Sequence, residues 1–370
     1  SIDNVSVKEY LGQEVVPNSG CGSWLLEPQS TNLITYSEDF STSNWNKTNS
    51  TITSNAVIDP SGLSNSYTLE AATIGQPNIS NYSNWTDNTE YAFSCFIKPN
   101  FGDYAVLGVY GNVIGDSFIK IDLTDNSLSY SGTGFSNGKV EVFANGWLRV
   151  SVKYISTSIN TSRSRFKIGL ASLGSFTTGV VGDKIEIYGA QLEENSYSTS
   201  YIPTQGATST RLQDIATNSG NASLINSEEG TLYVDYKLVN QFPSFPGIQI
   251  TDDSLQNQVS FYTYNNSLTY YVKSNNINTV LNNEALSENT DYKLAISYSY
   301  LETSLYLNGE KKASYLNKDM PLGLRKITIN GNGNVSKYKA LAVYKTALTD
   351  ANLRSLTYPP AVATTFDLNF

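Results

Sequence analysis

Hydrophobic and polar residues alternate with a period of two over much of the chain. The clearest alternating runs are residues 91–97, 148–154, 166–170, 232–238 and 294–298. Since successive side chains of a β-strand point to opposite faces, each run predicts a strand with one buried face. Residues 348–356 instead have helical spacing, with Thr349 placed to cap the helix. Many short strands separated by turn residues predict an all-β fold built from antiparallel sandwiches.

A repeated pattern near Pro28 and Pro203 indicates where the modules end. The strand-like residues 185–192 are followed by a polar stretch that leads to Pro203. Residues 2–8 are likewise strand-like, and a linker leads from them to Pro28. Each stretch is typical of the last strand of a module followed by an extended segment that leaves it. Because residues 2–8 would then end a preceding module, we expect the chain to be a fragment of a longer polypeptide.

This pattern predicts the domain organisation. We expect residues 1–30 to be the end of a preceding module plus a linker. Two tandem sandwiches follow over residues 31–204 and 211–358, and residues 359–370 form a C-terminal tail. Modules of this size can each bury a sizeable core.

The composition excludes several classes of function. The chain has no histidine, which removes Ser-His-Asp and Cys-His nucleophilic sites and histidine-ligated metals. Its 24 Lys and Arg form no cluster, and 33 Asp and Glu bring the net charge to −9, so we expect no nucleic-acid partner. No apolar run approaches the about 18 residues of a membrane span, so we expect no membrane insertion.

The two cysteines, Cys21 and Cys95, belong to no C-x-x-C motif. Cys95 falls inside a predicted strand, which favours the role of a small buried hydrophobe. A disulfide between the two cysteines is the alternative that the sequence leaves open.

Motifs of the first predicted sandwich resemble a known class of modules. They are residues 31–40 with Trp45, 96–99, 145–151, 189–194 and 199–204. In this order they resemble modules of tail-fibre and other structural proteins of phages, which are similar to carbohydrate-binding β-sandwiches of the jelly-roll type. Residues 2–9 resemble the closing strand of another such module.

The second predicted sandwich resembles the laminin G-like and concanavalin A-like lectin superfamily. Residues 305–310 and 339–353 carry this resemblance, as a hairpin and as a closing strand with a short helix. Together the resemblances imply a virion-surface or extracellular protein that binds host surface polysaccharide. They also imply contacts with other virion subunits and a homo-oligomer, for which a trimer is one arrangement.

Aromatic residues in polar stretches are the candidate sugar-binding residues, because a pyranose packs its C–H face on a ring while polar neighbours bind its hydroxyls. The candidates are Trp45, Tyr82, Asn84, Trp85 and Tyr110. Packing in the core is the alternative role of both tryptophans. Tyrosines also alternate over residues 261–264 and 270–271, where one face is expected to fill the core and the other to bind a ligand or a partner, or only to complete the sheet.

Enzymatic activity is not expected. Lectin-like sandwiches also include glycoside hydrolases, which need two carboxyl groups about 5–9 Å apart across the scissile bond. The acidic residues show no such pair, and the laminarinase-type cluster Glu-x-Asp-x-x-Glu is absent.

No cofactor is expected, and calcium is the one candidate. Asp252, Asp253, Asn332 and Asn334 are oxygen donors in predicted loops of the lectin-like module. They lack the fixed spacing of an EF-hand, and ordinary turn roles are the alternative.

The expected function is therefore attachment of a phage fibre, or of a related receptor-binding appendage, to host glycans through shallow sites multiplied by copy number. A purely structural spacer or decoration module is one alternative. A polysaccharide depolymerase is the other.

Overall fold

The structure is a computed structural model that describes residues 23–54, 57–82, 85–110, 116–156, 165–240, 247–264, 267–316, 319–330 and 335–358. The strands in chain order are β1 (Trp24–Leu26), β2 (Ser30–Asn32), β3 (Trp45–Thr48), β4 (Ser50–Ser54), β5 (Tyr67–Ala71), β6 (Asn78–Tyr82), β7 (Glu90–Phe101), β8 (Tyr104–Tyr110), β9 (Ser117–Asp122), β10 (Leu128–Ser131), β11 (Phe135–Val142), β12 (Leu148–Ile155), β13 (Arg165–Leu170), β14 (Lys184–Glu193), β15 (Ser209–Arg211), β16 (Ile215–Ser219), β17 (Glu229–Asn240), β18 (Gly247–Thr251), β19 (Gln258–Tyr264), β20 (Ser267–Ser274), β21 (Ile277–Ala285), β22 (Thr290–Ser299), β23 (Glu302–Leu307), β24 (Glu310–Leu316), β25 (Lys326–Asn330) and β26 (Val335–Tyr344). A 3₁₀ turn (Ala144–Gly146) precedes β12, and the helix α1 (Asp350–Thr357) follows β26. The predicted all-β fold class is confirmed.

The chain divides into two compact units. The first unit comprises residues 30–211, and the second comprises residues 1–29 together with 212–370. Each unit contains two six-stranded antiparallel sheets in its described residues, with a hydrophobic core between them. Both units are therefore β-sandwiches.

The first unit packs two sheets against each other. One, which we name the β8 sheet, has the strand order β10-β9-β8-β13-β6-β3; the other has the order β11-β12-β7-β14-β5-β4. Strand β13 illustrates the alternation, because Phe166, Ile168 and Leu170 are almost completely buried in the core. Arg165 and Lys167 consequently lie on the opposite, outer face of the β8 sheet.

Asn32 belongs to the motif at residues 31–40, and its buried polar side chain has a structural role. Its Nδ2 donates hydrogen bonds to the carbonyl oxygens of Ala190 (3.2 Å) and Ile202 (2.8 Å). Its Oδ1 accepts from the backbone N–H groups of Ile34 and Leu192, both at 3.1 Å. One amide thus satisfies backbone groups of three segments, as burial of polar groups requires.

Three further motif residues hold the segment that leaves β14. The Arg149 guanidinium donates to the Thr199 carbonyl at 2.6 Å, and the Glu193 carboxylate accepts from the Thr199 N–H at 2.9 Å. Gln191 accepts from the Ile202 N–H at 2.6 Å. All three side chains are buried. These motifs therefore specify the fold of the module.

The second unit pairs the sheet β1-β26-β17-β22-β23-β24 with the sheet β16-β25-β18-β19-β20-β21. The helix predicted over residues 348–356 is α1, and the Thr349 side chain accepts a hydrogen bond from the Asn352 N–H. Leu353 of α1 packs with Tyr233 and Tyr306 on the face of the first sheet opposite the core.

The structure corrects one prediction at the start of the described chain. Residues 24–26 were expected to belong to a linker, but they form β1, which pairs with β26 from Trp24 opposite Tyr338 to Leu26 opposite Ser336. Leu26 is buried in the core of the second unit. Nothing in the local sequence predicts this edge strand, because its backbone hydrogen bonds join residues far apart in the chain. Residues 1–22 and 359–370 lie outside the described residues.

Cys95 is a free, fully buried thiol on β7. Burial raises its pKa well above the ordinary value, which leaves it protonated at neutral pH. It therefore has the packing role that its strand position predicts, whereas Cys21 lies outside the described residues.

Candidate functional site

Both candidate tryptophans are core residues. Trp45 is 1% exposed, packs against Phe40 with ring centroids 5.0 Å apart, and donates its indole N–H to the Tyr36 carbonyl at 2.8 Å. Trp85 is 7% exposed, and its ring lies 4.6 Å from that of Phe166. The prediction that they stack on a sugar is wrong, because their ring faces are covered by protein.

Tyr82 and Tyr110 meet on the outer face of the β8 sheet. Strand β13 runs between β6 and β8, and its residue Arg165 is registered with Tyr82 on one side and with Tyr110 on the other. Tyr82 is 54% exposed, and Tyr110 is partly exposed. Asn84, the remaining predicted ligand residue, lies outside the described residues.

Arg165 joins the two tyrosines. Its guanidinium Cζ lies 4.6 Å from the centroid of the Tyr110 ring and 5.5 Å from that of Tyr82. Its Nη1 also donates a hydrogen bond of 2.9 Å to the Tyr82 hydroxyl. Cation–π contacts and this bond hold the guanidinium at the face of the sheet.

Lys167 extends the cluster along the same face of β13. Its Nζ lies 4.4 Å from the centroid of the Tyr110 ring and 5.9 Å from that of Phe118, which comes from β9. The Phe118 ring lies over Gly108 of β8, which is its partner in the sheet. A Cβ atom at Gly108 would come within 2.6 Å of the ring. We call Tyr82, Tyr110, Phe118, Arg165 and Lys167 the outer-face cluster.

An anion and a cation both act on Lys167 of the cluster. Burial lowers the pKa of Lys167, since water no longer solvates the ammonium fully. The Asp116 carboxylate opposes this shift, and the positive charge of Arg165 adds to it. Two like charges therefore act on each other within one small surface.

Lys120 lies on the same sheet but has a structural role. Its Nζ donates to the carbonyls of Ser172 (3.2 Å) and Leu173 (3.1 Å), and it lies over the rings of Tyr104 and Phe176 at 4.9 Å from each centroid. These contacts attach the loop after β13 to the sheet and use two of the three donors of the ammonium.

Arg165, Lys167 and Phe118 are members of the cluster that the sequence did not single out. The available signal was the alternation over residues 165–170, which places the two cations on one face of a strand. What the sequence does not contain is the strand order, which brings β13 next to both tyrosines.

A second aromatic surface lies on the second unit, where the tyrosine alternation is confirmed. Phe261 and Tyr270 fill the core, whereas Tyr262 and Tyr271 face outward with ring centroids 5.6 Å apart. The Tyr271 hydroxyl donates to Gln258 at 2.6 Å. This surface presents aromatic and amide groups.

The two described members of the predicted calcium set have protein partners. Asp252 accepts hydrogen bonds from Asn257 (2.8 Å) and Ser254 (2.8 Å), while Asp253 pairs with Arg325. Burial by itself raises the pKa of Asp252, but the bonds from Asn257 and Ser254 outweigh it and lower the pKa. Asn332 and Asn334 lie outside the described residues. Calcium binding by this set stays a prediction.

Two buried carboxylates in the first unit are occupied by hydrogen bonds. Glu186 accepts from Thr68 (3.0 Å) and Asn100 (2.6 Å), and Glu193 accepts from Ser30 (2.6 Å). Among the described residues, no three or more Cys, Asp or Glu side chains are grouped to hold a metal ion. The same part of the chain has no helix with the length and hydrophobicity to cross a membrane.

Comparisons with known proteins place the chain in no family, since no family model and no curated protein matches it. Matching solved structures include the IT-sialidase CBM40 of Ruminococcus gnavus bound to α2,3-sialyllactose, at 14% identity and a TM-score of 0.32 over 38% of this chain and 94% of that chain. Another is botulinum neurotoxin type C, for which cell entry depends on two ganglioside molecules, at 15% identity and a TM-score of 0.32 over 37% of this chain and 38% of the toxin chain. A leech intramolecular trans-sialidase complexed with 2,7-anhydro-Neu5Ac matches at 17% identity and a TM-score of 0.31, over 36% and 23% of the two chains. The present chain thus spans less than two thirds of the toxin and trans-sialidase chains.

Proposed function

We propose that the chain is a non-catalytic glycan-binding segment and that the outer-face cluster is its binding site. The observation that carries this proposal is the convergence of Tyr82 and Tyr110 on Arg165 at the surface of a sheet. Exposed rings supply a face on which the C–H side of a pyranose packs, and the guanidinium supplies donors for its oxygens. Because the surface is shallow, binding at each site is weak and gains strength from multiple copies.

The biological setting that we propose is a phage fibre or related appendage that attaches to host surface polysaccharide. Its support is the ordered set of motifs in the first unit, which the structure explains as a buried network around Asn32 and Arg149. A module so specified is suited to tandem use within a longer virion protein that assembles with copies of itself and with other subunits.

Glycan-array binding of the whole chain, presented multivalently, tests the proposal. Removal of a central interface aromatic commonly costs more than about 1 kcal/mol. We therefore expect Tyr82→Ala and Tyr110→Ala each to weaken binding by about tenfold. Tyr300→Ala is the matched control, since Tyr300 is 71% exposed but belongs to the second unit.

Two results would contradict the proposal. Binding that survives both substitutions would exclude the outer-face cluster and direct attention to Tyr262 and Tyr271. Absence of binding to every glycan, even in multivalent form, would overturn attachment and favour a structural spacer.

A further inference from the structure

We propose that the outer-face cluster selects acidic glycans, with a sugar carboxylate or sulfate placed against Arg165 and Lys167. This inference rests on the proposed function of the same site. It goes further by naming the chemical class of the ligand.

The location of the cations is the first argument. The chain as a whole has a net charge of −9, so a general attraction for polyanions is not expected. Strand β13 nevertheless presents Arg165 and Lys167 side by side on one surface, and Asp116 is the acidic group that acts on Lys167 there. Both cations would attract a bound anion, whereas they would not attract a neutral sugar.

The hydrogen-bonding capacity of Arg165 is the second argument. Among the described residues, the guanidinium donates one hydrogen bond, from Nη1 to the Tyr82 hydroxyl. A guanidinium presents its N–H donors as a planar fork that matches a carboxylate or sulfate. Tyr82 and Tyr110 hold the plane of this fork through ring contacts, so less side-chain entropy is lost when an anion binds.

Lys120 and Lys167 provide the third argument by their contrast. The Lys120 ammonium already donates to two backbone carbonyls, which makes it a structural cation. The Lys167 ammonium instead faces the rings of Tyr110 and Phe118, which attract a cation but accept no full hydrogen bond. Since Lys167 is only 6% exposed, it adds positive charge beside Arg165 and does not supply freely exposed donors.

The experiment compares acidic polysaccharides with their neutral derivatives. The probes are polygalacturonate, alginate and polysialic acid, each beside its carboxyl-reduced form, and dextran sulfate beside dextran. The expected result is binding to an acidic member at least tenfold tighter than to its neutral partner, weakening as NaCl rises from about 50 to about 300 mM. The carboxylate and sulfate arms distinguish the two sources of negative charge.

Variants of the whole chain assign the selectivity to the site. Since a hydrogen bond to a charged group is worth about 1.5–3 kcal/mol, Arg165→Gln should weaken binding to the acidic glycan by about tenfold or more. Arg165→Lys should recover part of that loss, because it keeps the charge without the fork. Lys139→Ala removes an exposed charge from the other sheet and should leave binding unchanged. Circular dichroism verifies that each variant is folded.

The outcomes separate this inference from the proposed function. Equal binding to acidic and neutral partners, or equal losses in Arg165→Gln and Lys139→Ala, would overturn acidic selectivity and leave glycan binding in place. Absence of binding to every probe, acidic and neutral alike, would overturn both.

Discussion

Tyr82 and Trp85 are close in sequence but lie on opposite sides of the β8 sheet. The Tyr82 side chain is on the outer face, where Arg165 contacts it. The Trp85 ring lies in the core, with centroids 5.1 Å from Tyr154 and 4.6 Å from Phe166. At this scale, burial distinguishes a residue that stabilises the sandwich from a residue available to a ligand.

Replacement of Trp85 should therefore affect stability. Loss of a buried tryptophan removes apolar contacts and leaves a cavity, so Trp85→Ala should reduce the free energy of unfolding by about 3–5 kcal/mol. Tyr82→Ala should cost less, about 1 kcal/mol, because it removes only the exposed contacts with Arg165. Urea unfolding of the two variants measures both values. Similar losses in the two variants would contradict the burial of Trp85.

The Asn308-Gly309 turn illustrates how an element is specified locally and secured by its neighbours. It connects β23 to β24, and both residues have positive φ angles, of 48° and 85°. The Gly309 N–H donates to Thr357, and its carbonyl accepts from Arg354, so the hairpin is attached to α1. Asn-Gly is the preferred pair for such a turn.

Gly309→Ala should destabilise the second unit. The backbone at this position is in the left-handed region, and a Cβ atom would lie 2.9 Å from the Tyr358 ring. The free energy of unfolding should therefore fall by about 1–3 kcal/mol. Gly174→Ala is the control, because a Cβ atom at Gly174 has no neighbour within 4 Å. Thermal unfolding should show a lower Tm for the first variant alone. An unchanged Tm in Gly309→Ala would contradict the strained geometry.

For the molecule as a whole, the many buried tyrosines link stability to alkaline pH. In the second unit, Tyr236 packs on Tyr292 and Tyr338 with centroids 5.9 Å away in each case. Burial raises the pKa of Tyr338 from 10.0 to about 12 and raises that of Tyr236 well above 10.0. Both hydroxyls are therefore easier to ionise in the unfolded chain.

We therefore expect stability to be constant with respect to these groups below pH 10 and to fall above it. Ionisation of Tyr338 in the unfolded state favours unfolding by about 1.4 kcal/mol per pH unit, until the folded pKa near 12 is reached. Urea midpoints at several alkaline pH values measure the slope, and Tyr338→Phe should reduce it. Full ionisation of the tyrosines near pH 10, followed at 295 nm while the fold persists, would contradict the prediction.

Local patterns account for the parts of the fold that the sequence analysis predicted. Alternation over residues 166–170 and 232–238 identified strands, and Thr349 identified the start of a helix, because these signals act within a few residues. The alternation over residues 261–264 and 270–271 predicted that one face fills the core, and the structure assigns Phe261 and Tyr270 to that face.

Strand order and burial came only from the tertiary structure. Residues 24–26 form an edge strand because they pair with the backbone of β26. Trp85 is buried because aromatic residues of β7, β12 and β13 surround its ring. No short segment contains this information.

By itself the sequence determined the all-β class, the turns and the helix, since each depends on side chains close together in the chain, and it proposed Tyr82 and Tyr110 as candidates. Only the tertiary structure decided that Tyr82, Tyr110 and Arg165 form one surface. The physical reason is that β6, β8 and β13 become neighbours through backbone hydrogen bonds between segments far apart in the chain.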